Sequence, residues 1–182
     1  MLIYIIIAIL VILLIYCFCL YNSLVKLTNK VDEAFSTMDV YLKKRWDLIP
    51  NLVETVKGYA NFEKETFENI AKLRSNSYDN LSTADKLKTN DVIQRDIKSI
   101  MILSENYPEL KASDNFKNLS EELSTVEDEI ANSRKYYNAV IKLYNNKLLI
   151  FPNNMFAKLF GFKQKNMFEI LENEKENISV DI

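Results

Sequence analysis

Apolar side chains fill the start of the chain almost without interruption. Residues 2–20 contain no charged residue, and a helix of this length spans roughly 28 Å, close to the roughly 30 Å hydrocarbon thickness of a bilayer. The run has no basic region before it and no small-x-small motif after it, so the features of a cleaved signal peptide are missing. The pattern therefore predicts a retained transmembrane anchor over residues 1–21.

After the anchor, apolar residues return every three or four positions, a spacing that predicts a first long helix. The positions of this stripe are Val31, Phe35, Met38, Leu42, Trp46, Ile49, Val53, Val56 and Ala60. Nothing breaks the chain between Leu20 and Lys26, so we expect the anchor helix to continue into this one. Pro50 lies within the stripe without changing its phase, which predicts a kink in the helix rather than an end.

Two shorter helices are predicted next. Gly58 precedes a predicted turn, after which apolar residues over 62–74 predict a second helix. Residues 76–90 are rich in Ser, Asn, Asp and Thr and predict a loop. A third helix over residues 93–104 is expected to close before Tyr107-Pro108, since the residue before a proline avoids the α region.

The fourth predicted helix is long and carries a heptad seam. Ser113 is placed to cap its first turn, and apolar spacings of three and four then alternate until shortly before Pro152. The seam consists of Phe116, Leu119, Leu123, Val126, Ile130, Ser133, Tyr137, Val140 and Tyr144.

These elements predict an all-α fold, in which a single N-terminal transmembrane helix is followed by an antiparallel four-helix up-down bundle with long first and fourth helices. The expected domains are a transmembrane anchor over residues 1–21, the bundle over residues 22–171 and a disordered polar tail over residues 172–182.

The second and third helices are predicted to be about half as long as the other two, so they leave part of the long helices uncovered. We expect the aromatic-rich segment after Pro152 to fold back over that part, with Gly161 as the αL residue that ends a short helix. In the alternative, its aromatic side chains dip into the lipid headgroup layer together with Lys158, Lys163 and Lys165.

Composition agrees with a helical fold and narrows the chemistry. The chain has only two glycines and three prolines, too few for the tight turns of a many-stranded sheet. It has no histidine, which removes the usual general base, the commonest metal ligand and any Ser-His-Asp mechanism. The formal charge is −2 and the two signs alternate along the chain, so no basic stripe indicates a nucleic-acid partner.

Neither a metal nor a cofactor is predicted. The fourth helix carries carboxylates that could attract a cation, but helical carboxylate sites usually combine Glu-x-x-His motifs from facing helices. These carboxylates are Glu121, Glu122, Glu127, Asp128 and Glu129. The run Lys43-Lys44-Arg45 could bind lipid headgroups or a partner, yet three successive residues spread around a helix, which favours a mainly solvated face.

Several longer stretches carry a family resemblance. They are Tyr41 to Tyr59, Tyr107 to Ala112, Arg134 to Tyr144 with its Tyr-Asn pairs, and Phe151-Pro152 with Gly161-Phe162. In content and order they resemble the LemA family over nearly the whole chain. One departure is that the family often has a His-Glu pair after Gly58-Tyr59-Ala60, where this chain has Phe62 before Glu63.

The resemblance implies a bacterial membrane protein whose soluble part is a bundle of long antiparallel helices. It implies no reaction and no catalytic residue. A relative in the family takes part in building magnetosome membranes, which implies, by analogy, a role in membrane organisation.

Polar residues beside the apolar stripes are the candidate structural or interaction residues. A charge in such a position destabilises the fold unless it is paired, so structural ion pairs are favoured over a binding site. The candidates are Arg45, Asp47, Pro50, Asn51, Glu54, Arg74, Arg134 and Asn138.

The leading functional hypothesis is a membrane-anchored helical scaffold or protein-interaction module in membrane organisation or envelope-associated signalling, and not an enzyme. The alternative is an enzyme, or a metal- or cofactor-dependent protein, that uses carboxylate and lysine side chains in an unrecognised pocket. The expected partners are the lipid bilayer, through residues 2–20, and a protein of unknown identity.

Charge around the anchor predicts its orientation. Only Met1 precedes the apolar run, whereas Lys26 and Lys30 follow it closely. The positive-inside rule therefore predicts a single-pass protein of the bacterial cell membrane, with its soluble domain in the cytoplasm and its N-terminus outside.

Overall fold

The computed structural model describes residues 1–58 and 78–168, and all regular structure within these two ranges is helical. The helices are α1 (Leu2–Lys57), α2 (Thr83–Ser104), α3 (Pro108–Ala112), α4 (Asp114–Leu149) and α5 (Asn153–Leu159), with a 3₁₀ turn over Tyr78–Asn80. The predicted all-α class is confirmed, whereas the antiparallel four-helix arrangement stays a prediction. The predicted second helix, at residues 62–74, and the polar tail over residues 172–182 lie outside the described residues.

Helix α1 has 56 residues and includes both the apolar run and the first amphipathic stripe. The expected continuation of the anchor helix is therefore confirmed. Side chains of residues 1–16 are exposed on every side, whereas a buried stripe begins at Leu20. It follows the predicted positions from Val31 to Val56, except that Phe35 and Val53 are only half-buried. Pro50 lies inside this helix, so the proline does not end it.

Helix α2 begins at Thr83, so the predicted loop over residues 76–90 is wrong from that residue onward. The physical reason is a capping interaction between Ser82 and Asp85. Ser82 Oγ accepts a hydrogen bond from the Asp85 N–H at 3.2 Å and donates one to Asp85 Oδ2 at 2.6 Å. This cap starts a helical turn whose few apolar residues give no periodic signal. The helix ends at Ser104, before Pro108, as the sequence predicts.

Helix α4 has 36 residues and starts directly after Ser113. The Lys117 N–H donates to the carbonyl oxygen of Ser113 at 3.0 Å, which is the first hydrogen bond of the helix. The predicted seam positions are buried, except for Leu119, which is half-buried. The seam is therefore confirmed as the buried face of this helix.

The chain divides into two compact units. The central unit is Thr37–Ser133, and the terminal unit combines Met1–Ser36 with Arg134–Ile182. The core of the central unit contains Met38, Leu42, Trp46, Ile49, Leu52, Val56, Ile93, Ile97, Ile100, Leu110, Leu123, Val126 and Ile130. The core of the terminal unit contains Leu20, Leu24, Val31, Tyr137, Val140, Ile141, Tyr144, Leu148 and Phe168. The predicted domain boundaries after residues 21 and 171 stay a prediction.

The segment after Pro152 forms α5 and then turns at Gly161, which has a φ angle of +78°. The Gly161 N–H donates to the Lys158 carbonyl at 3.2 Å, and the Phe162 N–H donates to the Ala157 carbonyl at 3.0 Å. This pair of bonds defines a Schellman motif. The prediction that Gly161 ends a short helix in the αL conformation is therefore confirmed. Residues 163–168 then continue without regular secondary structure.

Candidate functional site

Arg45 is a buried charge in the central unit, with a side chain that is only 1% exposed. Its guanidinium donates hydrogen bonds to the Glu127 carboxylate, to Asn90 Oδ1 and, at 3.0 Å, to the Asn90 carbonyl oxygen. The three residues come from α1, α4 and α2 respectively. Because the planar guanidinium offers several donors in a fixed geometry, one side chain can link three helices. Its surroundings are those of a structural ion pair.

A second polar cluster surrounds Tyr78, also in the central unit. The Tyr78 hydroxyl donates to Asp39 Oδ1 at 2.6 Å, and Lys86 Nζ lies 2.6 Å from Asp39 Oδ2. The Tyr78 ring packs against Trp46 at 5.6 Å between ring centroids, and Lys86 Nζ lies 4.7 Å from the Tyr78 centroid. Burial, the hydrogen bond to Asp39 and the charge of Asp39 raise the pKa of Tyr78 well above its ordinary value.

Sequence reasoning missed the Tyr78 cluster. Tyr78 lies within the polar stretch that predicted a loop, so neither periodicity nor a motif marked it as a core residue. The available signal was the tyrosine itself, since a large aromatic ring among short polar residues favours burial of that ring against the core.

Three of the candidate residues share an exposed face of α1. Asp47 is exposed and pairs with Lys43, one turn earlier, at 3.1 Å. Asn51 and Glu54 are exposed as well, and they follow Asp47 at helical spacings that place all three side by side. The structure thus brings these three together at the surface, while Pro50 between them is half-buried.

The basic run at residues 43–45 divides between surface and core. Lys44 pairs with Glu122 at 3.0 Å, and both side chains are about half exposed. Lys43 is also solvated, whereas Arg45 is internal. A mainly solvated face is therefore found for two of the three residues. Within residues 1–58 and 78–168, no group of three or more Cys, Asp or Glu side chains is arranged to hold a metal.

In the terminal unit, two asparagines of α4 bind the backbone of residues 163–168. Asn138 Nδ2 donates to the Phe168 carbonyl at 2.9 Å, and Asn138 Oδ1 accepts the Phe168 N–H at 2.8 Å. Asn145 makes the same pair of bonds with Lys165, at 2.8 and 3.0 Å. We call these four hydrogen bonds the asparagine clasp. Each side-chain amide binds both the N–H and the carbonyl of one residue, as the backbone of a neighbouring β-strand would do.

Helical and extended geometry match along the asparagine clasp. Asn145 follows Asn138 by seven positions of the helix, which is a rise of about 10.5 Å. Phe168 follows Lys165 by three positions, which span about 10 Å in an extended chain. The segment therefore runs antiparallel to α4, and the Tyr144 hydroxyl adds a bond to the Lys163 carbonyl at 3.0 Å.

Two basic side chains make further contacts that hold residues 163–168 in place. The Arg134 guanidinium lies 4.0 Å from the centroid of the buried Phe168 ring. Lys165 Nζ pairs with Asp32 of α1 at 2.8 Å. The segment after Pro152 thus folds back over both α1 and α4 within the terminal unit, as predicted. Arg74, another of the candidates, lies outside the described residues.

Helix α5 packs beside the apolar run of α1. The Tyr16 hydroxyl donates to Asn153 Oδ1, and the Tyr16 ring meets the Phe156 ring edge-on at 5.9 Å. An open groove of about 440 Å³ lies between the two helices. Its lining is apolar and consists of Ile9, Ile12, Leu13, Tyr16, Pro152, Met155 and Phe156.

One turn further along α1, an aromatic group closes the α5 turn. Tyr21 makes edge-on contacts with Phe160 at 5.4 Å and with Phe162 at 5.9 Å. Because Gly161 stands between the two phenylalanines, the Schellman turn presents both rings to the same tyrosine. The sequence predicted that the segment with Phe160 and Phe162 folds back over the long helices, and the structure places both rings against Tyr21 at the end of the apolar run.

Over residues 1–58 and 78–168 the regular structure is helical, and the first helix is long and apolar enough to cross a membrane. These features define a class of helical proteins with an N-terminal candidate membrane span. Comparison with known proteins gives the family. The LemA family model matches residues 34–182, and the chain belongs to the LemA family. The resemblance seen in the sequence is thereby confirmed.

Bacterial relatives support this assignment. Protein LemA of Metamycoplasma hominis is 31% identical over 162 residues, which cover 86% of this chain and 72% of that protein. Magnetosome protein MamQ 2 of Paramagnetospirillum magneticum is 24% identical over 175 residues, with 82% of this chain and 64% of that protein covered. Magnetosome protein MamQ of Magnetospirillum gryphiswaldense is 23% identical, with 81% and 64% covered. The chain therefore spans less than two thirds of either MamQ protein.

Proposed function

We propose that this protein is a single-pass membrane protein whose helical part is a non-catalytic scaffold in membrane organisation. One observation carries the proposal: the side chains of residues 1–16 are apolar with few exceptions, and all of them are exposed around α1. An exposed apolar surface of this size is unfavourable in water and is stabilised within a bilayer. In this proposal α1 crosses the membrane within residues 1–21, and residues 22–171 form the domain.

The orientation that we propose places the domain in the cytoplasm. Lys26 and Lys30 follow the anchor, and residues 130–168 contain seven basic residues and no acidic residue. Such an excess of positive charge favours the cytoplasmic side. A cytoplasm-dependent reporter fused after Ile182 should be active, and an export-dependent reporter at the same position should be silent. The reverse pair of results would place the domain outside the cytoplasm.

The polar groups of the central unit support a structural rather than a catalytic role. Arg45 and Asp39 are each engaged with other side chains of the unit. Among the described residues, the carboxyl group whose pKa is raised is Asp96, and the cause is its burial. The alternative function, an enzyme with carboxylates and lysines in a pocket, needs several such groups in one cleft. The groove described above is lined by apolar side chains instead.

Membrane organisation is the role that the relatives favour. Two of them are named magnetosome proteins, and the LemA resemblance implies a membrane protein. A scaffold in this role also binds a protein partner, and we propose the exposed face of Asp47, Asn51 and Glu54 as its contact surface. Each of these side chains is exposed and polar, which suits a reversible interface with a polar rim.

In-cell photo-crosslinking tests the proposed scaffold. A photo-reactive amino acid at Asn51 should give a discrete protein adduct, whereas the same amino acid at Ser124, an exposed residue of α4, should not. Adducts at Asn51 that are no stronger than those at Ser124 would exclude a partner on this face. A purified protein that turns over a small molecule, with loss of turnover on substitution of a carboxylate or lysine, would favour the enzyme alternative.

A further inference from the structure

We infer that α5 and the residues that flank it form a wedge that enters the bilayer leaflet next to the domain, with its outer face in contact with lipid acyl chains. We call residues 149–162 the wedge. This inference rests on the proposed membrane crossing of α1. It concerns a different element, and its test separates the two.

The contacts of α5 with α1 show how deep α5 lies in the bilayer if α1 crosses it. Asn153 and Phe156 contact Tyr16, and the groove beside Met155 extends to Ile9. If residues 2–20 cross the bilayer, Tyr16 lies about 6 Å inside the domain-side end of the run and Ile9 lies about 16 Å inside it. A helix that touches these residues is therefore at the depth of the hydrocarbon, and not above the membrane.

The outer face of the wedge is apolar and uncovered. Five of its side chains are 56–78% exposed, namely Leu149, Ile150, Phe151, Met155 and Leu159. Asn153 and Ala157 are buried on the opposite side of α5. Water would make this arrangement unfavourable, whereas acyl chains are a matching environment for it. The face is continuous with the exposed apolar surface of α1, so one bilayer can cover both.

Much of the wedge backbone is hydrogen-bonded without the help of water. Several backbone N–H groups that lie outside or at the ends of the helices bind carbonyl groups of the wedge or of the end of α4. Ile150 donates to Asn146, Asn154 donates to Ile150, and Met155 donates to Pro152. At the other end, the Schellman turn satisfies the N–H groups that follow the helix. Hydrogen bonding of this kind is the main requirement for any backbone at membrane depth.

Aromatic and basic residues near the ends of the wedge are those typical of a membrane interface. Tyr21 with Phe160 and Phe162 forms an aromatic group at the end of the apolar run, where the interface is expected. Lysines lie just before, within and after the wedge, at Lys147, Lys158 and Lys163. Long lysine side chains can extend from this depth to phosphate groups. The absence of any acidic residue from 130 to 168 favours an anionic leaflet.

Depth measurements by electron paramagnetic resonance test the wedge in the full chain. Cys17 and Cys19 are replaced by Ala, and single cysteines carry a spin label in the variants Met155→Cys and Leu159→Cys. The protein is reconstituted in vesicles of phosphatidylcholine and phosphatidylglycerol. Ile7→Cys marks the membrane segment, and Ser124→Cys marks a solvent-exposed position. Emission from the single Trp46 and far-ultraviolet circular dichroism confirm that each variant is folded.

Labels at residues 155 and 159 should resemble the label at residue 7, with high accessibility to oxygen and low accessibility to a water-soluble nickel complex. Labels that resemble residue 124 instead, while residue 7 is in lipid, would exclude the wedge and leave the membrane crossing intact. Labels shielded from both reagents would also exclude it, since a protein surface would then cover this face. A water-exposed label at residue 7 would contradict the membrane crossing itself. If one variant misfolds, the other decides.

Discussion

Asn138 and Phe168 are joined by two hydrogen bonds, in which the side-chain amide of Asn138 binds both the N–H and the carbonyl of Phe168, at 2.8 and 2.9 Å. The two residues are 30 positions apart in the sequence. Asparagine suits this role because its amide carries a donor and an acceptor in the same plane. Aspartate would keep only the acceptor, and leucine of similar size would keep neither.

Replacing Asn138 with Ala should loosen the segment after Gly161. Two hydrogen bonds to the segment are lost, at about 0.5–1.5 kcal/mol each, so local opening should increase by roughly one to two orders of magnitude. Hydrogen exchange of the amides in residues 163–168 measures this effect directly. Asn146→Ala is the matched control, since Asn146 is exposed one position after Asn145. Equal protection in the two variants would show that the clasp does not hold the segment.

Arg45→Ala should destabilise the central unit strongly. It leaves the Glu127 carboxylate and the buried Asn90 side chain without their arginine partner. Breaking a fully buried pair typically costs about 3–5 kcal/mol, and because Glu127 is 32% exposed, the loss here should fall towards or below the lower end of that range. Urea unfolding of the protein in detergent micelles, followed by Trp46 emission, measures the change. Trp46 is the only tryptophan and is buried in the same unit.

Lys44→Ala is the control for Arg45. Its pair with Glu122 is half exposed, so its loss should cost less than about 1 kcal/mol. A midpoint for Arg45→Ala that equals the midpoint for Lys44→Ala would show that the buried ion pair contributes little to this fold.

The helices that the sequence predicted well are those whose buried face is long and regular. The α4 seam keeps one spacing pattern from Phe116 to Tyr144, and the structure buries it. Local caps were harder to read. The Ser82 cap starts α2 within a polar stretch that has no apolar periodicity. A cap depends on one side chain rather than on a repeated spacing, so the periodicity could not predict it.

The candidate residues show the same limit. The sequence marked Arg45 and Asn138, since polar residues beside an apolar stripe need partners. It could not name the partners, because Asn90 and Phe168 are set by packing between segments that are far apart in the chain. Periodicity in the polar stretch around Tyr78 likewise gave no partner for its ring, since Asp39 and Trp46 lie far from it in the chain.

Tyr78→Phe should change the alkaline stability of the central unit. Burial and the bond to Asp39 raise the Tyr78 pKa in the folded state. Above pH 10 or so, the unfolded chain releases this proton and the folded chain does not, so stability falls as pH rises. The native tyrosine should stabilise the unit by roughly 0.5–1.5 kcal/mol at neutral pH, and this advantage over Phe should shrink above about pH 10.

Urea midpoints of both proteins between neutral pH and about pH 11 test this prediction. Subtracting the Phe variant cancels the titration of groups that the two proteins share. An advantage of the native tyrosine that stays constant across this range would mean that the Tyr78 hydroxyl is not protected from ionisation.

Pro50→Ala should leave the fold intact and raise its stability. Pro50 lies inside α1, where it lacks the N–H that would bond to the carbonyl of Trp46. Alanine restores that bond and has the highest helix propensity, so the gain could reach about 3 kcal/mol, less any cost of lost packing by the half-buried ring. Trp46 emission during urea unfolding reports the change from within the same turn.

Pro108→Ala is the control, because Pro108 occupies the first position of α3, where the missing N–H costs no helical bond. Unfolding of the Pro50 variant, with normal behaviour of the Pro108 variant, would show that the fold depends on the shape that Pro50 gives α1.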